Sequence, residues 1–290
     1  IRLAIMPTFY GEKVEMRLLA STERPLSLEE LGMLEDTTKV VLENIKKTFG
    51  MALVTGPTGS GKTTTLYSVL NILNRPEVNI VTVEDPIEYD MKYINQTQIN
   101  SQAGITFASG LRAIVRQDPN IILVGEIRDE ETADIAVQAA LTGHLVLSSL
   151  HTNDSPTAVP RLMDMHVPPF LVAAVINLIV AQRLVRRICV ACIESYQLAP
   201  SEIEAVRKQL ADLKIDIKDL PKILYRGKGC PICGGTGYKG RLAIFEALAV
   251  NESIRKAIID PNFSLDGLRD QARKNGMITM AQDGLLKALD

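Results

Sequence analysis

One segment of the sequence has the residue types and spacing that are typical of phosphate binding. Residues 56–63 fit the pattern G-x-x-x-x-G-K-[ST]. The glycines allow backbone N–H groups to surround a phosphate chain, and a helix that starts here adds the partial positive charge of its N-terminus. We expect Lys62 to reach the β- and γ-phosphates of a nucleoside triphosphate and the Thr63 hydroxyl to bind Mg²⁺. The predicted nucleotide contacts are Gly56, Pro57, Thr58, Gly59, Ser60, Gly61, Lys62, Thr63 and Thr64.

Two acidic clusters stand where catalytic carboxylates would be needed. The apolar run Ile121–Val124 is followed by Gly125 and Glu126, and the run Ile80–Val83 is followed by a cluster that includes Glu88. A carboxylate at such a position can bind Mg²⁺ or polarise the attacking water. Either cluster alone could equally be a solvated helix cap. Because both are expected at adjacent strand ends beside the phosphate-binding loop, the pair favours hydrolysis.

The three histidines differ in whether their positions in the sequence favour a function. His151 directly follows the apolar run Leu145–Leu150, so it is expected at a strand end beside the acidic clusters. A lone histidine is nevertheless usually a structural residue. His144 precedes the same run and is expected to pack or to cap, and His166 has no argument in its favour.

All four cysteines form two Cys-x-x-Cys pairs, Cys189 with Cys192 and Cys230 with Cys233. The N-terminal residues lack a signal-peptide pattern, so we expect no export, and two such pairs then favour tetrahedral Zn²⁺ over disulfides. A helix predicted near 201–213 fills the long gap between the pairs. Four thiolates leave no open coordination position, so the expected zinc is structural.

Composition and charge exclude several classes of protein. The 290 residues are 46% apolar and 23% charged, which is incompatible with a disordered chain or a disulfide mini-protein. The formal charge of −2 gives no reason to expect nonspecific DNA or membrane binding. Residues 183–241, however, hold 12 Lys and Arg against 6 Asp and Glu, so one local surface is basic.

The elements that must position these residues follow from the hydrophobic pattern. Short apolar runs alternate with helical stretches near 62–74, 106–116 and 129–142, which predicts a mostly parallel sheet covered on both faces, with ligands at the carboxyl ends of the strands. The apolar stretch Phe170–Ala181 is too short to span a bilayer and is predicted to be a buried helix.

The chain divides on this basis into five predicted parts. Two short strands, Arg2–Ile5 and Lys13–Leu19, precede a helix from about Leu26 to Phe49, and short helices follow Glu252. Because the chain starts abruptly, Ile1 is expected to be a truncation point with further domains upstream. The predicted parts are the end of a preceding domain (1–24), a linker and helix (25–50), the P-loop core (51–185), the tetracysteine zinc module (186–240) and a C-terminal helical region (241–290).

Four motifs resemble those of the type II secretion and type IV pilus assembly ATPases of the secretion ATPase superfamily. GPTGSGKTTT at 56–65 resembles that family's Walker A motif, VEDPIE at 83–88 its acidic box, ILVGEIRD at 122–129 its atypical Walker B motif and GHLVLSSLHTN at 143–153 its histidine box. The resemblance covers essentially the whole chain. It implies an α/β fold with a RecA-like P-loop NTPase core and a mostly parallel sheet, a fragment of a preceding α+β domain, and a tetracysteine zinc module with C-terminal helices.

The resemblance also implies an activity and residue roles. The protein is expected to hydrolyse ATP with Mg²⁺, with Glu88 as general base, Glu126 as the Mg²⁺-side carboxylate and His151 as a γ-phosphate sensor. Arg17 and Arg2 resemble arginines that the family's preceding domain brings to the nucleotide.

The same resemblance implies how the protein would work in the cell. The expected assembly is a homo-hexamer, cytoplasmic and associated with the inner membrane through a platform protein, that builds a type II secretion pseudopilus or a type IV pilus. The tetracysteine module is typical of the secretion and extension branches and argues against retraction. Its basic stretch is either a docking surface for the platform protein or an ordinary solvated face.

Two rival functions remain from the sequence. A nucleic-acid-processing or DNA-uptake ATPase could also combine a P-loop, a zinc module and a basic stretch, although few aromatic residues are present for base stacking and no direct nucleic acid partner is expected. A binding module without turnover is the other rival, and the acidic clusters argue against it.

Overall fold

A seven-stranded, mostly parallel sheet forms the centre of the computed structural model, which describes residues 2–17, 24–212 and 223–289. A separate hairpin of β1 (Arg2–Thr8) and β2 (Gly11–Arg17) precedes it. The sheet contains β3 (Gly50–Thr55), β4 (Ile80–Glu84), β5 (Ile94–Gln98), β6 (Ile121–Val124), β7 (Leu145–Leu150) and β8 (Ile176–Ile188). A two-stranded antiparallel sheet of β9 (Ile193–Gln197) and β10 (Ile223–Gly227) is formed by the part of the chain between β8 and the last strand of the central sheet, β11 (Tyr238–Ala249).

The strand order β11-β8-β3-β7-β6-β4-β5 brings the predicted functional strand ends together. β3, β4, β6 and β7 are buried along their whole length, as expected for strands covered on both faces. These strands pair in parallel with their neighbours, and β11 pairs with β8 in the antiparallel sense. The predicted mixed α/β fold with a mostly parallel sheet is therefore confirmed.

Helices cover both faces of the sheet, and each face has its own apolar core. One core is built around Leu53, Ile122 and Val146, and the other around Leu70, Leu123 and Leu147. The helices are α1 (Glu35–Ile45), α2 (Lys62–Leu73), α3 (Phe107–Ile114), α4 (Glu130–Leu141), α5 (Ala158–Asp164), α6 (Pro169–Val175), α7 (Pro200–Asp212), α8 (Glu252–Ile259), α9 (Leu265–Lys274) and α10 (Met280–Leu289). No helix in these described ranges has the length and apolarity needed to cross a membrane.

The predicted buried helix over Phe170–Ala181 is wrong in its second half. The helix α6 ends at Val175, and Ile176 begins β8, which lies between β3 and β11. The β-branched residues of this run suit a strand, and two neighbouring strands complete its backbone hydrogen bonds. Asn177, which interrupts the run, donates a hydrogen bond to the carbonyl of Phe49 over 2.7 Å.

The other predicted elements agree in type and differ in extent. The helix expected over 26–49 is limited to α1, because residues 25–34 adopt turns and irregular structure. The helix expected near 201–213 is α7. The strand expected over Lys13–Leu19 is β2, and its last two residues lie outside the described residues.

Two long strands cross predicted part boundaries. β8 crosses the predicted boundary between residues 185 and 186 as it runs from the P-loop core towards the cysteines. β11 crosses the predicted boundary between residues 240 and 241 and pairs with β8. The predicted zinc module is thus connected to the central sheet by two paired strands. The division into five parts as folding units stays a prediction.

Candidate nucleotide site

The carboxyl ends of β3, β4, β6 and β7 form one cleft of about 550 Å³. Lys62 and Thr63 line it from the first turn of α2, which follows the loop after β3. Glu88 lines it from the loop after β4, Glu126 from the loop after β6 and His151 from the loop after β7. Parallel strands place their carboxyl ends at one edge of the sheet, which is why residues far apart in sequence converge here. Of the predicted loop contacts, Thr58, Gly59, Gly61 and Thr64 also line the cleft, and Gly56 and Ser60 are buried.

Close packing determines the shape of the phosphate-binding loop. Gly56 has a φ of +153°, and a Cβ added there would come within 2.5 Å of the backbone oxygen of Gln182 and 2.6 Å of Oγ of Ser60. The buried side chain of Gln182 donates a hydrogen bond to the carbonyl of Ser60 over 2.7 Å. Through Gln182, the strand β8 therefore packs against the phosphate-binding loop and holds its shape.

The ammonium group of Lys62 lies at the mouth of the loop. It donates hydrogen bonds to the carbonyls of Gly56 over 2.8 Å and Pro57 over 3.2 Å. Burial lowers the pKa of Lys62, and the negative charge of Glu126 partly offsets this effect. The ammonium and the Glu126 carboxylate are thus close enough to influence each other electrostatically.

Glu126 is held by two side chains. His151 contacts Oε2 of Glu126 through Nε2 at 3.1 Å, and Arg128 forms an ion pair with Oε1. Burial by itself raises the pKa of this carboxyl group, but the hydrogen bonds from Arg128 and His151 outweigh it, so the pKa of Glu126 is lowered. The side chain of Glu126, 12% exposed, is therefore an ionised carboxylate in the cleft.

The two glutamates at the carboxyl end of β4, Glu84 as its last residue and Glu88 in the loop that follows, have different environments. Glu84 is 2% exposed and accepts hydrogen bonds from the Tyr67 hydroxyl over 2.5 Å and the Thr82 hydroxyl over 2.6 Å. Glu88 is exposed and lines the cleft. Of the two carboxylates, Glu88 is the more accessible to a water molecule in the cleft.

The segment that follows His151 is fixed to the last third of the chain. Asp154 forms an ion pair with Arg269 of α9 at 2.7 Å, and the Ser155 hydroxyl donates to the buried carboxylate of Glu246 over 2.7 Å. These contacts connect the loop after β7 to α9 and β11. They place the loop that carries His151 between the cleft and the C-terminal helices.

The other two histidines make contacts outside the cluster around Glu126. His144 is expected from the sequence to pack or to cap, and its Nδ1 lies 2.8 Å from the carbonyl of Ala139 near the end of α4. His166 lies 2.9 Å from a carboxylate oxygen of Glu130.

The four cysteines converge at the far end of β8. Their Sγ atoms all lie within 4.8 Å of one another. The distances are 4.0 Å between Cys189 and Cys230, 3.9 Å between Cys192 and Cys233, and 3.7 Å between Cys230 and Cys233. Four sulfurs at about 2.3 Å from a tetrahedral zinc would be separated by about 3.8 Å, so the donor set fits Zn²⁺.

Backbone amides donate hydrogen bonds to one sulfur atom of this cluster. The N–H groups of Cys230 and Gly237 donate to Sγ of Cys233 over 3.1 and 3.3 Å. These hydrogen bonds, mainly the one from Cys230, lower the pKa of the Cys233 thiol to about 6. Since a metal-binding cysteine must lose its proton, this environment favours the thiolate at Cys233, whereas burial raises the pKa of the Cys192 thiol.

Arg2 and Arg17 are cross-strand partners in the β1–β2 hairpin. Their side chains lie outside the described part of the chain, so their expected approach to the nucleotide stays a prediction.

Sequence reasoning missed two residues that line the cleft and one that is buried beside it. Arg128 pairs with Glu126, Arg241 lines the cleft from β11, and Tyr67 binds Glu84 from α2. Arg128 stands two residues after Glu126 in ILVGEIRD, and this spacing was the available signal for it. No local pattern marks Tyr67 or Arg241, because sheet pairing and helix packing bring them to the site.

The fold and the cleft define an α/β protein with a P-loop nucleotide-binding site. The chain belongs to the family of type II/IV secretion system proteins, whose model matches residues 1–290. It is 48% identical over 289 residues to the type IV pilus assembly ATPase PilB of Thermus thermophilus, covering 100% of this chain and 32% of that protein. It is 50% identical over 258 residues to the type II secretion system ATPase E of Vibrio cholerae, covering 89% of this chain and 50% of that protein. The chain thus spans from about a third to half the length of these relatives.

Solved structures agree with the fold. The pilus retraction motor PilT with bound ADP matches with a TM-score of 0.68 and 28% identity, covering 96% of this chain and 67% of that one. The ATPase DotB of Legionella pneumophila matches with a TM-score of 0.66 at 22% identity, covering 98% of this chain and 67% of that one. This match supports the fold alone. The resemblance to secretion and pilus ATPases stated from the motifs is therefore confirmed at the level of the family.

Proposed function

We propose that this chain is the motor part of an ATPase that drives assembly of a type II secretion pseudopilus or a type IV pilus. The observation that carries the proposal is the convergence of Lys62, Glu88, Glu126 and His151 from four strand ends in one cleft. The names of the curated relatives, type II secretion ATPases and pilus assembly ATPases, support the same function.

Each cleft residue has a role in this proposal. Lys62 neutralises the β- and γ-phosphates, and Glu88, exposed in the cleft, accepts a proton from the attacking water. His151 senses the γ-phosphate and transmits its presence to Glu126 through their hydrogen bond. The backbone of residues 56–64 surrounds the phosphates.

Two oxygen donors that line the cleft fit Mg²⁺. The hydroxyl of Thr63 and the ionised carboxylate of Glu126 both line it and offer the oxygen ligands that Mg²⁺ prefers. When bound, the ion neutralises phosphate charge and orients the triphosphate. Arg128 keeps Glu126 ionised and in place for that contact.

We further propose that Cys189, Cys192, Cys230 and Cys233 hold one structural Zn²⁺. The short sulfur–sulfur distances and the amide donors to Cys233 support this proposal. A Cys₄ zinc site stabilises the fold locally and performs no catalysis. The zinc would connect segment 189–192, which precedes β9, to segment 230–233, which precedes β11. The tetracysteine cluster also supports assembly over retraction as the direction of work.

The proposed working form is a cytoplasmic homo-hexamer that associates with the inner membrane through a platform protein. In this form Arg17 and Arg2 approach the nucleotide when the preceding domain closes onto the P-loop core. An arginine at the γ-phosphate stabilises the transition-state charge, so closure and hydrolysis would be coupled.

A steady-state phosphate-release assay with and without single-stranded DNA tests the proposal against its rivals. The proposed motor hydrolyses ATP at a rate that DNA does not change. A nucleic-acid-processing or DNA-uptake ATPase would be stimulated by DNA, and a binding module would retain nucleotide without releasing phosphate. Lys62→Ala serves as the inactive control.

A further inference from the structure

The hydroxyl group of Tyr67 lies between the phosphate-binding helix and the loop that carries Glu88. Tyr67 stands five residues after Lys62 on α2 and is fully buried. Its oxygen is 2.5 Å from Oε2 of Glu84 and 3.3 Å from the backbone nitrogen of Glu88. A single hydroxyl group therefore connects α2 with the loop that follows β4.

The chemistry of the neighbours determines the direction of these hydrogen bonds. Tyr67 donates its proton to Oε2 of Glu84, and its oxygen can then accept from the N–H of Glu88. Burial, and secondarily the hydrogen bond to Glu84, raise the pKa of the Tyr67 hydroxyl far above its ordinary value, so the proton needed for this arrangement is retained.

The carboxylate of Glu84 is an anchor for this connection. Its Oε1 accepts from the hydroxyl of Thr82 over 2.6 Å and from Nε2 of Gln96 over 3.2 Å, while Oε2 accepts from Tyr67. The ring of Tyr67 packs edge-to-face against Tyr89, with 4.6 Å between the ring centroids. Hydrogen bonds to Glu84 and from Glu88 hold the hydroxyl, and the contact with Tyr89 holds the ring. The position of the hydroxyl relative to the loop after β4 is therefore well defined.

We propose that Tyr67 is a positioning residue that holds the backbone of Glu88 so that the Glu88 carboxylate faces the cleft. This inference rests on the proposed function, in which Glu88 is the general base. A general base works only within hydrogen-bond reach of the proton it accepts, and a misplacement of about 1 Å can cost about a hundredfold in rate. Because Tyr67 is on the helix that begins at Lys62, it keeps the base in register with the bound phosphates.

The variant Tyr67→Phe tests this role by removing only the hydroxyl group. We expect kcat for ATP hydrolysis to fall about tenfold, the effect of one ordinary hydrogen bond, while KM and nucleotide affinity change less than about twofold. Ser68→Ala is the matched control: it removes a buried hydroxyl from the same helix, and that hydroxyl donates to the carbonyl of Thr64 at 2.9 Å. The control is expected to retain wild-type kcat.

A double-variant cycle with Glu88→Gln separates positioning from general loss of structure. If Tyr67 acts through Glu88, the double variant is no slower than Glu88→Gln alone. Fully additive losses of kcat would overturn the proposal. A normal kcat in Tyr67→Phe would overturn it as well, and so would a loss of kcat accompanied by an equal loss of nucleotide affinity.

Amide hydrogen exchange provides a readout that does not depend on activity. The Glu88 N–H loses its acceptor in Tyr67→Phe, so peptides covering 85–89 should exchange several-fold faster while those of α2 remain unchanged. Unchanged exchange at 85–89 would contradict the proposal. Failure of the proposed function is distinguished separately, because it would appear in the wild-type protein as nucleotide binding without phosphate release.

Discussion

Nε2 of His151 lies 3.1 Å from Oε2 of Glu126, across the adjoining ends of β7 and β6. Arg128 binds the other oxygen of the same carboxylate. The segment after His151 is in turn held by α9 through Asp154 and Arg269. The loop after β7 therefore connects Glu126, through His151, to the C-terminal helix α9, through Asp154 and Arg269.

Lys62 and Glu88 should affect hydrolysis in different ways. Lys62→Ala removes a charge that binds the phosphates, so both nucleotide affinity and turnover should fall. Glu88→Gln keeps the shape but loses the proton acceptor, so turnover should fall about a hundredfold or more while affinity is retained. Affinity is measured with a fluorescent ATP analogue, and phosphate release gives turnover. Lys47→Ala, at an exposed lysine that does not line the cleft, is the control. Equal losses of affinity in both variants would remove Glu88 from the role of base.

The tetracysteine cluster should contain one zinc per chain. Cys230→Ser is expected to release the metal and to make residues 186–240 sensitive to protease, while nucleotide binding is retained, because metal binding and local folding are coupled. Elemental analysis and limited proteolysis measure the two effects. Val190→Ala is the control, since this exposed residue stands between two of the cysteines but offers no ligand. A disulfide between the pairs would contradict the prediction.

The ion pair between Asp154 and Arg269 should stabilise the protein in a pH-dependent way. Burial raises the pKa of Asp154, but hydrogen bonds from Thr157 and Arg269 outweigh it and hold the pKa below its usual value of 3.8. A lowered pKa contributes stability that is present above the usual value and is lost as the pH falls through the folded-state value. Arg269→Met should cost about 1–2 kcal/mol at pH 7. In urea unfolding, this difference should begin to shrink as the pH falls below the usual value of 3.8, and it should be lost once the pH passes below the lowered pKa of folded Asp154.

The matched control for that experiment is Arg273→Met on the same helix. Arg273 pairs at 3.8 Å with Asp270, which is 54% exposed, so its loss should change stability by less than about 0.5 kcal/mol. A cost for Arg269→Met that stays constant from pH 7 to pH 3 would show that packing, rather than the Asp154 carboxylate, is responsible.

A buried ion pair should make α10 sensitive to a single substitution. The side chains of Asp283 and Lys287 are 1% and 8% exposed, and Asp283 also accepts from the backbone N–H of Phe245 over 2.9 Å. Lys287→Met would leave the carboxylate buried without its cation and should cost about 3–5 kcal/mol in chemical unfolding. Lys256→Met, which removes an exposed pair with Glu252, is the control and should be nearly neutral. A neutral Lys287→Met would contradict the argument.

Arg17 should act in catalysis more than in binding. Arg17→Ala is expected to lower turnover much more than nucleotide affinity, because a γ-phosphate arginine stabilises the transition state. Activity per chain should rise with protein concentration as rings form. Phosphate release and light scattering over a concentration series measure both effects. Normal turnover in Arg17→Ala would remove this arginine from the site, and concentration-independent turnover in a monomer would contradict the ring requirement.

Local pattern in the sequence was sufficient for the P-loop, the four strands that end at the cleft and the paired cysteines. Each of these depends on residues close together in the chain: a glycine spacing before a helix, an apolar run of strand length, or a Cys-x-x-Cys unit. The convergence of Glu126 and His151 could also be anticipated, because carboxyl ends of parallel strands share one edge.

Contacts between distant segments decided the rest. Whether Ile176–Ile188 is helix or strand depends on β3 and β11, which complete its hydrogen bonds, and a short apolar run by itself is compatible with either. Local pattern does not separate Glu84 from Glu88, and only the family resemblance selects Glu88. In the structure, burial and the Tyr67 hydroxyl distinguish the two carboxyl groups. The ion pairs of Arg269 and Lys287 and the place of Arg241 in the cleft likewise exist only once the chain has folded, because tertiary packing brings together residues that no local spacing relates.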